Sequence, residues 1–134
     1  MKDPKGEAAK WLAQAEYDLH AAQENTNIKL YSYGCFIAQQ AAEKVLKAFL
    51  YAQGEREVVG HSVAGLCRRA ANFKKGFSTL VQKARRLDRY YIPTRYPNGL
   101  PDGVPAESYD EADAQDALNL AREICDMVKQ QLNV

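Results

Sequence analysis

The chain has little of what chemistry most often uses. In 134 residues there are two histidines, one tryptophan and three cysteines. Cys35, Cys67 and Cys125 are odd in number, far apart and set among apolar residues, with no CxxC pair and no Cys/His cluster. That excludes a disulfide framework and a zinc site, so no metal and no cofactor are expected. The cysteines read as small buried hydrophobes in a reducing cytoplasm. No apolar run is long enough to span a bilayer, and the opening "MKDPKGEAAKWL" lacks the apolar core of a signal peptide. A cytoplasmic chain with no membrane contact is expected. No strand alternation and no internal repeat is present. Proline is scarce as well, except in one place: Pro93, Pro97, Pro101 and Pro105 are four of the five in the chain.

What is present is helical periodicity. With 46% hydrophobic and 26% charged residues, the chain fits one globular domain over residues 1–134. Asp3-Pro4 makes an N-cap followed by proline at the first helical position, after which Ala8, Trp11, Leu12, Ala15, Leu19 and Ala22 recur on one face until "ENTN" at 24–27. A second helix, about 29–53, is apolar over a wide arc: Tyr33, Phe36, Ile37, Ala41, Val45, Leu46, Ala48, Phe49 and Leu50. Such breadth predicts a central, buried helix. Its polar stripe is narrow, Gln39, Gln40, Glu43, Lys44 and Lys47; Lys44 and Lys47 are expected in solvent, with the flank of a nucleotide groove as the alternative, and Gly54 is expected to end the helix. Ser62 caps a short third helix with Val63, Leu66, Cys67 and Ala70 inward, and "NFKKGFS" breaks it. A fourth, about 78–91, buries Leu80, Val81, Ala84 and Leu87. The last starts near Asp110, whose acids suit the helix dipole, and its inner seam is Ala114, Ala117, Leu118, Ala121, Ile124, Cys125, Val128 and Leu132. The fold class is all-α: an up-and-down bundle of four to five helices, with a proline-rich strap before the last one.

The net charge of +1 conceals a strong asymmetry. Residues 68–95 hold nine Lys/Arg and a single acid, Asp88, whereas residues 96–134 hold two basic residues and eight acidic ones. A basic segment ending at Arg95 suits phosphate; equally, the acidic last helix can balance it. "LCRRAANFKKGF" interleaves basic residues with Phe73 and Phe77, but at helical spacing those aromatics belong in a core.

The strap itself, about 92–109, is long for a connection in a small bundle, and such loops are usually functional. Each proline fixes its own φ and biases the residue before it toward extended backbone, here Ile92, Tyr96, Leu100 and Val104. A stiff, extended strap pinned by Tyr90, Tyr91, Tyr96 and Tyr109 follows. Arg95 sits in its stiffest part, and a guanidinium matches phosphate geometry. The alternative is that Arg95 pairs with an acid of the last helix while Tyr96 packs on the bundle.

"YGCFIAQQAAEKVLKAFLYAQG" (33–54), "GHSVAGL" (60–66), "LDRYYIPTRYP" (87–97) and the closing amphipathic helix together resemble the HEPN family, in order and over nearly the whole chain. The resemblance implies a four- or five-helix bundle that forms homodimers, and often a minimal nucleotidyltransferase as partner in a toxin–antitoxin pair. Active members are metal-independent ribonucleases with an Arg, four to six residues, then His, near the last long helix. A His there takes the proton from a ribose 2′-OH while the Arg neutralises charge on the phosphate. In this sequence the matching arginine is Arg95. The histidine should stand at Leu100, Pro101 or Asp102, and none of them is one. Asp102 is an alternative proton acceptor, but a carboxylate is a weak base.

Arg56 and His61 also satisfy the spacing, in "REVVGH", but between the second and third helices. His61 matches instead the histidine the family often carries before its third helix, where a structural hydrogen bond is the simpler role. The sharper alternative is that His61 folds near Arg95 and replaces the missing base. His20 has no partner pattern and reads as incidental. The expectation is therefore a homodimeric module that binds nucleotide or RNA phosphate and associates with a minimal nucleotidyltransferase. The ligand groove would hold Arg95 and Tyr96, with Arg89, Tyr90, His61 and Lys44 around them. The competing reading is a ribonuclease toxin using Arg95 with His61 or Asp102, and the absent histidine weighs against catalysis.

Overall fold

The computed structural model describes residues 3–134, and among them every regular element is helical. The elements are α1 (Pro4–Asn27), α2 (Tyr31–Ala52), α3 (Val63–Ala71), α4 (Val81–Asp88), α5 (Pro105–Ser108) and α6 (Glu111–Leu132), with 3₁₀ turns at Lys75–Leu80 and Pro97–Gly99. Five are of eight residues or more and α5 is a single turn, in accord with the expected bundle.

The starts of these helices are written in the sequence. The Asp3 carboxylate accepts from the Gly6 amide at 3.2 Å, and Pro4 opens α1. Ser62 accepts from the Gly65 amide at 3.0 Å. Asp88, at the far end of α4, accepts from the Val63 and Ala64 amides at 2.7 and 3.1 Å, so one carboxylate ties α4 to the start of α3. Asp110 and Asp113 form a reciprocal capping box at α6. Gly54, at φ +97°, closes α2 in the left-handed region that glycine adopts without strain.

Helix α2 is the axis of the bundle. It packs on α1, α6 and α3, and α3 packs on α4. Alanine lets the helices approach: Ala8, Ala15 and Ala22 of α1 recur every seven residues and are all buried, as are Ala38, Ala41, Ala42 and Ala48 of α2. Where α2 crosses the end of α1, a Cβ at Gly34 would stand 2.4 Å from the Thr26 hydroxyl oxygen, so only glycine fits. Phe49 and Phe77, centroids 4.6 Å apart, fill the space between α2 and the 3₁₀ turn. The buried apolar side chains form one continuous cluster.

Four expectations need correction. Helix α4 starts at Val81 rather than near 78, because a 3₁₀ turn takes up those residues, and it ends at Asp88 rather than near 91, where the chain turns toward Pro93. Phe77 is fully buried but Phe73 is exposed. Lys47, expected in solvent, is buried, as are Gln39 and Glu43 on the same stripe. The α2–α3 loop and α1 close over them, and each finds a polar partner: Gln39 the His61 carbonyl at 2.8 Å, Lys47 the Glu43 carboxylate at 3.1 Å. The strap is not extended throughout. Tyr96, Leu100 and Val104 are extended, but Pro97 and Pro105 each start a helical turn. Proline's fixed φ is common to extended and first-turn helical backbone, so Tyr96-Pro97 and Val104-Pro105 each give a straight residue followed by a corner.

Candidate functional site

Part of the middle segment's positive charge is used by the bundle. Lys83 meets Glu123 at 2.6 Å and Arg86 meets Asp116, joining α4 to the acidic α6. Arg69 meets Glu55 at 2.8 Å. Arg95 is held differently. Its Nε donates to the Tyr91 carbonyl at 3.0 Å. Its Cζ lies 4.3 Å from the Phe36 ring centroid, 5.0 Å from that of Tyr91 and 5.1 Å from that of Tyr96. Among the described residues no carboxylate reaches ion-pair distance of it, and its two terminal nitrogens have no hydrogen-bond partner. Three rings hold the guanidinium by cation–π attraction without neutralising it.

Arg95 lines a cleft of about 260 Å³ between the strap and the start of α2. Lys29, Tyr31, Ser32 and Tyr33 form one wall; Thr94, Pro97, Val104, Pro105 and Ala106 continue the other. The Thr94 hydroxyl donates to the Tyr90 carbonyl, and this buried bond fixes the turn that presents Arg95.

Beside Tyr91 lies a second polar cluster. The His61 ring stacks on Tyr91, centroids 5.2 Å apart and 19° between planes. Its Nδ1 faces the Glu43 carboxylate at 3.3 Å, and Lys47 holds the other oxygen of that carboxylate. Gln39 fixes the His61 backbone. Glu43 and Lys47 are buried whereas the imidazole is 61% exposed. With Nδ1 turned to a carboxylate, Nε2 is the nitrogen left for solvent. His61 and Arg95 thus share one aromatic ring.

The other expected groove residues are scattered. Tyr96 is half exposed beside the guanidinium. Arg89 is exposed at the end of α4. Tyr90 turns away to an edge contact with Tyr109, 5.9 Å between centroids. Burial pushes its hydroxyl up to about 12, helped by Cys35 and the acids Asp113 and Asp116. Lys44 pairs with Asp18 and borders a separate hollow of about 290 Å³ with Lys10, Trp11 and Gln14, so it does not share the Arg95 cleft. Lys47 is not solvated but lies 5.4 Å from the Trp11 ring centroid. The three cysteines are buried thiols pushed up to about 12, mainly by desolvation. Among the described residues no His/Cys/Asp/Glu group could hold a metal ion, and no helix is long and apolar enough to cross a membrane.

Lys29 and Ser32 are cleft residues that periodicity did not single out, and Tyr33, expected on the apolar arc, stands half exposed at the cleft. The available signal was negative: "NIKLYSY" starts a long helix with neither a capping side chain nor an acid in its first turn.

These features define a helical-bundle domain with an unneutralised arginine on a proline-built loop. Residues 8–131 match the HEPN domain. Of the solved structures, TT1696 from Thermus thermophilus is 40% identical, with a TM-score of 0.83 over 92% of this chain and 96% of that one. ST0689, described as an archaeal HEPN homologue, is 37% identical, with a TM-score of 0.78 over 98% of each chain. Among curated proteins, "Putative toxin MJ1304" of Methanocaldococcus jannaschii is 26% identical over 130 residues, covering 89% of this chain and 84% of that protein. The chain belongs to the HEPN domain family.

Proposed function

We propose that this protein is a homodimeric, cytoplasmic module that binds the phosphate of a nucleotide or RNA at Arg95 and works with a minimal nucleotidyltransferase. The observation that carries the reading is the state of Arg95: half-buried on three aromatic rings, free of any carboxylate among the described residues, and open to a cleft. Arg69, Lys83 and Arg86 are engaged by acids; Arg95 is held on its rings, ready for an anion from outside. Dimerisation is an expectation of the family, and a toxin-named relative is in keeping with a partner protein. The test is to titrate short RNA and nucleotides against the wild type and Arg95→Ala. Lost affinity with an unchanged melting temperature supports the reading. Unchanged affinity with lowered melting temperature would make Arg95 a structural residue. Sedimentation at micromolar concentration checks the dimer.

A second reading is favoured by the shared Tyr91 ring. In a ribonuclease, His61 would supply the base that the strap lacks: Nε2 takes the ribose 2′-OH proton, the freed oxygen bonds to phosphorus, the 5′-oxygen leaves with a proton from water, and Arg95 stabilises charge on the phosphoryl oxygens. The relative named as a toxin lends this support. Cleavage of cellular RNA in the presence of a chelator, abolished by His61→Ala, is the expected result; intact RNA at high protein concentration defeats it.

A further inference from the structure

We propose that the start of α2, with Ser32, Lys29 and Arg95, is a cradle for a terminal phosphate: the monoester of a free nucleotide or of a phosphorylated RNA end. The inference rests on the phosphate reading of Arg95 and specifies which phosphate it is.

Three independent features converge on the cleft. The first is the helix start. Its N-cap is Leu30, whose side chain accepts nothing, and there is no acid in the first turn. The amides of Tyr31, Ser32 and Tyr33 therefore have no side-chain acceptor, at the positive end of a 22-residue helix. The second is Ser32. It is only 8% exposed and lines the cleft, yet among the described residues its hydroxyl has no hydrogen-bond partner. That hydroxyl opens to the cleft and is free to donate to a ligand oxygen there. The third is charge. Lys29 stands at the rim in the left-handed region, φ +68°, exposed and without a carboxylate partner among the described residues, and Arg95 stands on the opposite wall.

Among the described residues no carboxylate lines the cleft. Two cations and a helix dipole suit the charge of a monoester, about −1.5 to −2 near neutral pH, better than the single charge of an internal diester. The rim favours a nucleotide over an inorganic anion. Tyr33 is 52% exposed there, and Tyr96, 50% exposed beside the Arg95 guanidinium, adds a second flat surface on which an unpaired base can stack.

The test uses the full chain and calorimetric or fluorescence titration. The probes are a nucleoside 5′-monophosphate, its parent nucleoside, inorganic phosphate, and a six-nucleotide RNA with and without a 5′-phosphate. The phosphorylated probes should bind at least tenfold more tightly than their unphosphorylated counterparts. Ser32→Ala and Lys29→Gln should each erase several-fold of that difference while leaving the unphosphorylated RNA unchanged. Lys29 is exposed, so its variant keeps the test open if Ser32→Ala folds poorly. The tighter of the two phosphorylated probes identifies the source, a free nucleotide or an RNA end. Equal affinity with and without the 5′-phosphate, or inorganic phosphate binding as well as the nucleotide, would overturn the cradle. If Arg95→Ala still weakens RNA binding in that case, the broader reading survives; if it does not, both fall together.

Discussion

Lys47 and Arg95 are both cations resting on aromatic rings, and their surroundings are opposite. Lys47 lies against Trp11 with its ammonium 3.1 Å from the buried Glu43 carboxylate, and 7% of its side chain is exposed. Arg95 lies among Phe36, Tyr91 and Tyr96, facing a cleft, with no acid in reach among the described residues. The first is an internal pair whose charges are mutually compensated. The second is a charge left for something outside the chain. A ring under a cation therefore does not by itself mark a binding site; what matters is whether the charge has already been answered.

The sharpest way to break this contrast is to unbalance the internal pair. Lys47→Met leaves Glu43 buried beside a neutral side chain and should cost about 3–5 kcal/mol of stability, read by urea denaturation. The double change Glu43→Leu with Lys47→Met removes both charges and should recover much of that loss; no recovery would mean that the pair holds the fold through more than its mutual neutralisation. Arg95→Ala should behave in the opposite way. Loss of a charge-assisted bond to phosphate, about 1.5–3 kcal/mol, is roughly a tenfold to hundredfold drop in affinity, with stability changed by less than about 1 kcal/mol. Equal damage to stability from both variants would erase the distinction between the two cations.

Asp88 tests a third kind of charge, one answered by backbone. Asp88→Asn retains acceptor capacity at one oxygen, whereas Asp88→Ala releases the Val63 and Ala64 amides and the Ser62 hydroxyl. The alanine variant should cost about 1–2 kcal/mol and the asparagine variant less. The smallest effect is expected from the cysteines. Their folded pKa of about 12 lies above the ordinary value of 9.0, so the folded state keeps a proton that the unfolded chain gives up. Stability from this source is fully present below about pH 9 and is lost as pH rises toward 12. A thiol reagent at about pH 8, below the thiol pKa in either state, should leave the native protein unmodified and react with all three thiols once denaturant is added.

Much of the bundle could be read in advance because its signals are local. Asp3-Pro4, Ser62 and Asp110 are caps that act on amides within three residues, and the apolar seams of α1 and α6 follow the helical repeat. The polar stripe of α2 could not be read that way. Glu43 and Lys47 have the same i,i+4 spacing whether they face water or a neighbour, and it is the packing of α1 and of the α2–α3 loop that buries them. The site divides along the same line. Arg95 on its proline-bounded turn was legible, since proline restricts the backbone wherever it stands. Its companions were not, because Lys29 and Ser32 stand at the start of α2, far earlier in the chain. Tyr90, two residues from Ile92, was expected beside Arg95 and instead faces Tyr109.

The helices, the caps at Asp3, Ser62 and Asp110 and the family were set by residues close together in the chain, so the order of amino acids was enough to specify them. Which charges are answered was settled only in three dimensions. Coulombic attraction and hydrogen bonding depend on distance through space, and only the folded chain brings His61 onto the ring that carries Arg95, or sets Ser32 across a cleft from it.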